Sequence, residues 1–169
     1  MSKLNSLKSL ARPTILKLDG GFTLIELLVV IFILGILSSM ALPSLFRQVA
    51  KAREADGKNQ IGAISRSQQI YHFETKTFAD SVASLLGTAN LQSNYYTFPD
   101  PSIASDTIVK HQAIAINPET DQVRNYALGV YQNNGNFSVA LCQGAGANVD
   151  VDVPTIITDD CTNGGIRIK

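Results

Sequence analysis

The chain has few of the residues from which catalytic and metal sites are usually built. Its 169 residues include only two histidines and two cysteines. His72 and His111 stand far apart, and no His, Cys, Asp and Glu grouping has metal-ligand spacing, so the histidines read as packing or surface groups. Gly144-Ala145-Gly146 lacks the Gly-Lys-Ser/Thr ending of a phosphate loop. No serine sits in a nucleophile elbow with a paired histidine and acid. No catalytic residue, metal ligand or cofactor is therefore expected. Asp150, Asp152, Asp159 and Asp160 lack EF-hand spacing and read as a solvated loop rather than a Ca²⁺ site. Net charge is also missing, since 14 Lys and Arg balance 14 Asp and Glu. From residue 22 onward ten basic residues face thirteen acidic ones, a net of minus three. A chain without a basic field is not built around nucleic acid, although a local patch for DNA stays compatible with it.

What the sequence does have is one long apolar stretch, Gly21–Phe46, with Glu26 as its single ionisable side chain. The run Leu24–Leu42 is long enough to cross a bilayer as a helix, which takes ~20 residues at a rise of 1.5 Å each. A carboxylate in such a helix costs up to ~3 kcal/mol on insertion scales, which marks Glu26 as a functional candidate. Gly35 lowers helix propensity, and Pro43 removes the backbone donor to the Ser39 carbonyl. Gly35–Pro43 is therefore the softest part of the helix, with Ser38 and Ser39 placed to satisfy freed backbone groups.

The helix is expected to continue to about Glu74. Arg47–Thr75 contains no proline and many helix formers. Ile61, Ile64, Gln68 and Tyr71 fall on one face, so this second half is amphipathic and packs on a soluble domain. Residues 76–93 form a connection in which Asp80–Leu86 reads as a short helix capped by Asp80 or Ser81. The period then changes to two. Tyr95–Phe98, His111–Asn117 with Ile114 and Ile116 on one face, Asn125–Gln132 and Phe137–Cys142 read as strands. They are separated by turn clusters at Asn117–Asp121 and Asn133–Asn136. Gly165–Lys169 is a possible last strand. The fold class is α+β: a long N-terminal helix, apolar then amphipathic, on a small antiparallel sheet.

Gly21 followed by Phe22-Thr23-Leu24-Ile25-Glu26, behind a short basic segment, resembles the processing site of type IV pilins and of type II secretion pseudopilins. The resemblance implies cleavage between Gly21 and Phe22, N-methylation of Phe22, and an assembly role for Glu26 at the fifth mature position. It implies that Gly35 and Pro43 loosen the helix in the filament. It also implies a domain plan: a cleaved basic leader (1–21), a transmembrane and filament-core helix (22–46), and an exported head (47–169). The head divides into helix (47–75), connection (76–93), sheet (94–142) and C-terminal region (142–169). Two cysteines in an exported head point to one disulfide, Cys142–Cys161. The implied partners are a prepilin peptidase-methyltransferase, further pilin subunits, the inner membrane before assembly and the pilus assembly machinery. The implied protein is a non-enzymatic subunit, first a single-pass inner-membrane precursor and then part of an extracellular pilus. The aromatic linker and compact sheet look like the cyanobacterial branch of pilins. A type II secretion pseudopilin, or a minor pilin acting as an adhesive or DNA-binding tip, shares the same N-terminus.

Overall fold

The computed structural model describes residues 21–85, 91 and 93–168. Residues 1–20 of the expected leader, 1–21, lie outside them. The chain divides into two compact units, 1–40 and 41–169. Helix α1 (Leu24–Thr75) supplies the described part of the first unit up to Met40 and then the helical layer of the second.

In the first unit every described side chain is exposed, including Phe22 at 81 %. The helix here is long and apolar enough to cross a membrane, and none of that window is buried within the protein. Ser39 Oγ donates to the Ile36 carbonyl at 2.7 Å, one turn before the carbonyl that Pro43 leaves unbonded. Helical geometry persists through both Gly35 and Pro43.

In the second unit α1 buries one stripe: Ala50, Glu54, Gly57, Ile61, Ile64 and Gln68. The spacing of three and four residues is that of one helical face. Tyr71 is only partly buried against the core, and the stripe ends on His72. The helix stops where Lys76 turns left-handed (φ 67°) and its N–H returns to the His72 carbonyl at 2.8 Å. That closure is the glycine-type helix end made by a lysine.

Six strands follow: β1 (Tyr96–Thr97), β2 (Ile103–Ala104), β3 (Ile108–Ala115), β4 (Arg124–Asn133), β5 (Asn136–Ala147) and β6 (Ile166–Arg167). All pairings are antiparallel, in the order β1-β3-β4-β5-β6, with β2 also on β3. The β4–β5 hairpin turns on Asn134 (φ 49°) and Gly135 (φ 85°), the two positive-φ residues that a tight hairpin requires. Central β4 is buried on both faces. Tyr126, Leu128 and Val130 join Ile61 and Ile64 of α1 in the main core. Ala127 and Tyr131 face a second core built with Cys142, Val151, Val153 and Cys161.

The structure departs from several expectations. Ile114 and Ile116 share a face as expected, but both are exposed while Lys110 on that face is buried, and Val109, His111, Ala113 and Ala115 are buried on the other. The sheet runs past residue 142, because β5 continues to Ala147 and β6 lies in the C-terminal region. β6 covers Ile166–Arg167 only, and Lys169 lies outside the described residues. β2 was not expected, and the Asn117–Asp121 turn contains one helical turn, α2 (Pro118–Asp121). Of Asp80–Leu86, a 3₁₀ turn at Ala83–Leu85 is seen, with Ser81 Oγ accepting from the Ser84 N–H at 3.3 Å. Leu86 lies outside the described residues.

Gly57 fixes the distance between α1 and the sheet. A Cβ there would fall 2.6 Å from Cε2 of Tyr96, whose hydroxyl is held by the Arg124 carbonyl at 3.0 Å. Gly57→Ala gains ~1 kcal/mol of helix propensity but is expected to lose more through overpacking, which costs about 1–3 kcal/mol. Urea unfolding of the mature protein in detergent should show a net loss, and a more stable variant would refute this packing argument.

Candidate functional site

The start of α1 is built from Gly21 to Glu26. Residues 21–23 are non-helical and exposed, and space around Gly21 is open enough that an added Cβ would meet nothing within 4 Å. Thr23 is the residue before the helix, and its Oγ1 accepts the Glu26 N–H at 3.2 Å. Glu26 Oε2 in return accepts the Thr23 N–H and the Thr23 hydroxyl, both at 2.9 Å. This is a capping box, the reciprocal Thr-x-x-Glu exchange that satisfies orphan donors at a helix start. Sequence reasoning missed it, although Thr23-Leu24-Ile25-Glu26 carries the signal. Glu26 thus has a local partner while the Phe22 nitrogen is still bound in a peptide.

The head holds its polar groups in pairs. Arg53 meets Asp121 at 2.9 Å and lies over the Tyr95 ring. Buried Glu54 lies 3.8 Å from Arg124 and accepts from Gln143 Nε2 at 3.4 Å, while the same amide donates to the Tyr126 hydroxyl at 2.8 Å. Burial in this layer, with Glu54 beside it, pushes the Tyr126 phenol upward. His72 Nε2 donates to the Asp106 carbonyl at 2.7 Å, and its ring packs on Phe78 and Phe137. His111 is fully buried and bonds Gln68 instead. The two histidines serve different contacts, and among the described residues no group of three His, Cys, Asp or Glu is placed to hold a metal ion.

Cys142 and Cys161 are joined, with Cα atoms 5.9 Å apart. Closing a loop of this length is worth ~3 kcal/mol in the chain-entropy account. The enclosed segment, whose aspartates read as a solvated loop, nevertheless buries Val151 and Val153. It is also tied down by polar contacts. Buried Lys110 reaches the Val153 carbonyl at 2.6 Å and Asp152 at 3.2 Å. Gln112 donates to the Val151 carbonyl, Asn125 to that of Val149, and the Tyr131 hydroxyl to that of Pro154 at 2.5 Å. Burial raises the Tyr131 phenol to about 12, which keeps it a donor across the neutral range. Asp152 serves Lys110 and Asp150 accepts the Val151 N–H, so these two acids are engaged within the fold.

A long apolar N-terminal helix with a capped start, followed by a disulfide-closed α+β head, defines a protein of the pilin type. Comparison with known families agrees. The family described as type IV pilin-like G and H matches residues 54–162, and the prokaryotic N-terminal methylation motif matches residues 16–42. The chain belongs to the type IV pilin-like G and H family. It is similar to the type IV major pilin protein PilA of Myxococcus xanthus, 31 % identical over 95 residues. That match covers 56 % of this chain and 43 % of the relative, so it spans less than half of that protein's length. Similarity to the type IV major alpha-pilin of Moraxella bovis is 28 % over 146 residues, 86 % of this chain and 81 % of the relative. The type II secretion system core protein G of Aeromonas hydrophila is 33 % identical over 72 residues, 43 % of this chain and 50 % of the relative.

Proposed function

We propose that the protein is a structural subunit of a type IV pilus. It is made as a single-pass inner-membrane precursor, cut after Gly21, methylated on Phe22 and polymerised through α1 into an extracellular filament. The carrying observation is the run of exposed side chains from Leu24 to Val49, mostly apolar, behind an open Gly21–Phe22 bond. Such a surface needs lipid before assembly and other copies of itself afterwards. The chain does no chemistry of its own and is the substrate of a prepilin peptidase-methyltransferase. Its remaining partners are sister subunits and the machinery that extracts them from the membrane. Gly35 and Pro43 give α1 two weak points at which it loosens on assembly.

A second reading, a type II secretion pseudopilin, is favoured by the similarity to the secretion-system core proteins. Immunogold labelling of sheared surface fibres separates the two. Label along the shaft, with mass spectrometry finding methylated Phe22 as first residue, is the expected result. Absence of label from fibres favours the pseudopilin, and an intact leader on assembled subunits refutes the processing scheme.

A further inference from the structure

One groove in the head has no occupant in the chain itself. It runs between one flank of α1 and the sheet, with a volume of about 470 Å³. Its floor is apolar, formed by Leu128, Val139 and Leu141, and Lys58 and Arg66 lie on the helix side. Arg66 is exposed, and Lys58 lies over the Tyr126 ring. Among the described residues, no carboxylate is within ion-pair distance of either cation.

The opposite chemistry sits on the other side of the sheet. Residues 155–160, inside the disulfide-closed segment, carry Ile156 at 60 % exposure next to the exposed carboxylates Asp159 and Asp160. Those carboxylates have no ion-pair partner among the described residues. The tip is held in shape before any docking. The Asp159 N–H returns to the Ile156 carbonyl at 3.0 Å, and Arg167 clamps the carbonyls of Ile157 and Asp159. A preformed tip loses little conformational freedom on binding.

We propose that residues 155–160 of one copy dock into this groove on a second copy. Ile156 covers the apolar floor, and Asp159 and Asp160 meet Lys58 and Arg66. The groove lies on the face of the main core and the tip on the face of the second core, so a chain cannot fill its own groove. Two different patches, each free after the other is used, make a heterologous contact that propagates instead of closing into a dimer. Charge complementarity at its rim sets register and rejects wrong partners. The proposal rests on the filament reading above and adds the contact between heads.

Charge exchange tests it in the full chain, expressed as the only pilin of a pilus-forming host. Lys58→Glu with Arg66→Glu, and separately Asp159→Lys with Asp160→Lys, should each lower sheared-fibre yield roughly tenfold. All four substitutions together should restore most of it. Circular dichroism and an intact disulfide establish that each variant folds. In wild-type fibres mixed from isotopically light and heavy subunits, carbodiimide should join Asp159 or Asp160 of one subunit to Lys58 of another. Normal yield from both reversed variants, or fibres without that cross-link, overturns the docking and leaves the filament reading standing. Loss that the fourfold exchange does not rescue assigns the groove to another anion, such as a phospholipid headgroup or nucleic acid, and also overturns it. Failure of the wild-type chain to form fibres overturns both.

Discussion

Glu26→Gln is expected to insert, to be cleaved after Gly21, and then to be nearly absent from filaments. The reasoning begins with the capping box. Glutamine at this position can still reach back to the Thr23 N–H, so the substitution keeps the helix start and removes only the charge. What it removes is a partner for the α-amine that cleavage creates on Phe22. Amine and carboxylate are both carried into an apolar setting by Leu24, Ile25, Leu27 and Leu28, and each alone costs several kcal/mol to desolvate. Together they offset one another, and between neighbouring subunits they do so only at the correct axial register. In the precursor the Phe22 nitrogen is an amide and Glu26 is occupied by Thr23. Cleavage would thus change the partner available to Glu26 and couple processing to assembly. Pairing within one helix, across four residues, is the competing account. Sheared-fibre yield and the mature N-terminus are the two measurements. Normal yield from Glu26→Gln as sole subunit rejects the pairing, and failed cleavage would move Glu26 to peptidase recognition.

Acid should destabilise the head through His111. Burial lowers its pKa from the ordinary 6.5 to about 4, with the Asp100 carboxylate opposing the shift. The contacts give the reason. Gln68 holds both backbone groups of Ala79, accepting its N–H at 2.9 Å and donating to its carbonyl at 3.0 Å. That grip fixes the amide orientation, so Gln68 Nε2 also presents a donor to His111 Nε2 at 2.8 Å. A neutral ring accepts it, whereas a protonated ring would set donor against donor. With Nε2 accepting, the neutral ring carries its proton on Nδ1, which is buried without a partner, so a second proton can go only to Nε2, against the Gln68 donor. The folded state therefore binds this proton less readily than the unfolded state. Stability from His111 is fully present above pH 6.5 and falls as pH drops towards 4, a loss of about 3 kcal/mol from a shift of this size. His111→Gln, which still offers Gln68 an acceptor, should flatten that slope. Chemical unfolding of the mature protein in detergent, at pH 7 and pH 4.5, measures it. An equal drop in wild type and variant would remove His111 from the account.

Some of this was legible in the sequence for simple reasons. The 3–4 spacing of Ile61, Ile64 and Gln68 and Asn134-Gly135 between alternating segments are local signals, and each appears in the fold as read. The misreadings share a different cause. β3 lies beside the doubly buried β4, and buried residues occur on both its faces: His111 and Ala113 on one, Lys110 on the other, beside exposed Ile114. Hydrophobicity alone does not reveal that burial. The two-residue strands β1, β2 and β6 are too short to show a period, and tertiary pairing defines them. Val151 and Val153 were hidden by the aspartates around them, although their alternation gave the clue. The Thr23–Glu26 exchange went unread because the family motif already supplied a reason for the glutamate.

The polar ties on residues 149–154 bear on how Cys161 finds Cys142. Lys110, Gln112, Asn125 and Tyr131 belong to β3 and β4, and they grip the carbonyls of Val149, Val151, Val153 and Pro154 before the chain reaches Cys161. Cys161 is thereby tethered a few residues from a docked strap, and Cys142 waits in β5 beneath it. A short tether of this kind keeps its two ends at a millimolar effective concentration. Reduction would then leave two neighbouring thiols, and reoxidation would be an intramolecular step guided by the sheet. The covalent bond and the side chains of two strands hold the same placement.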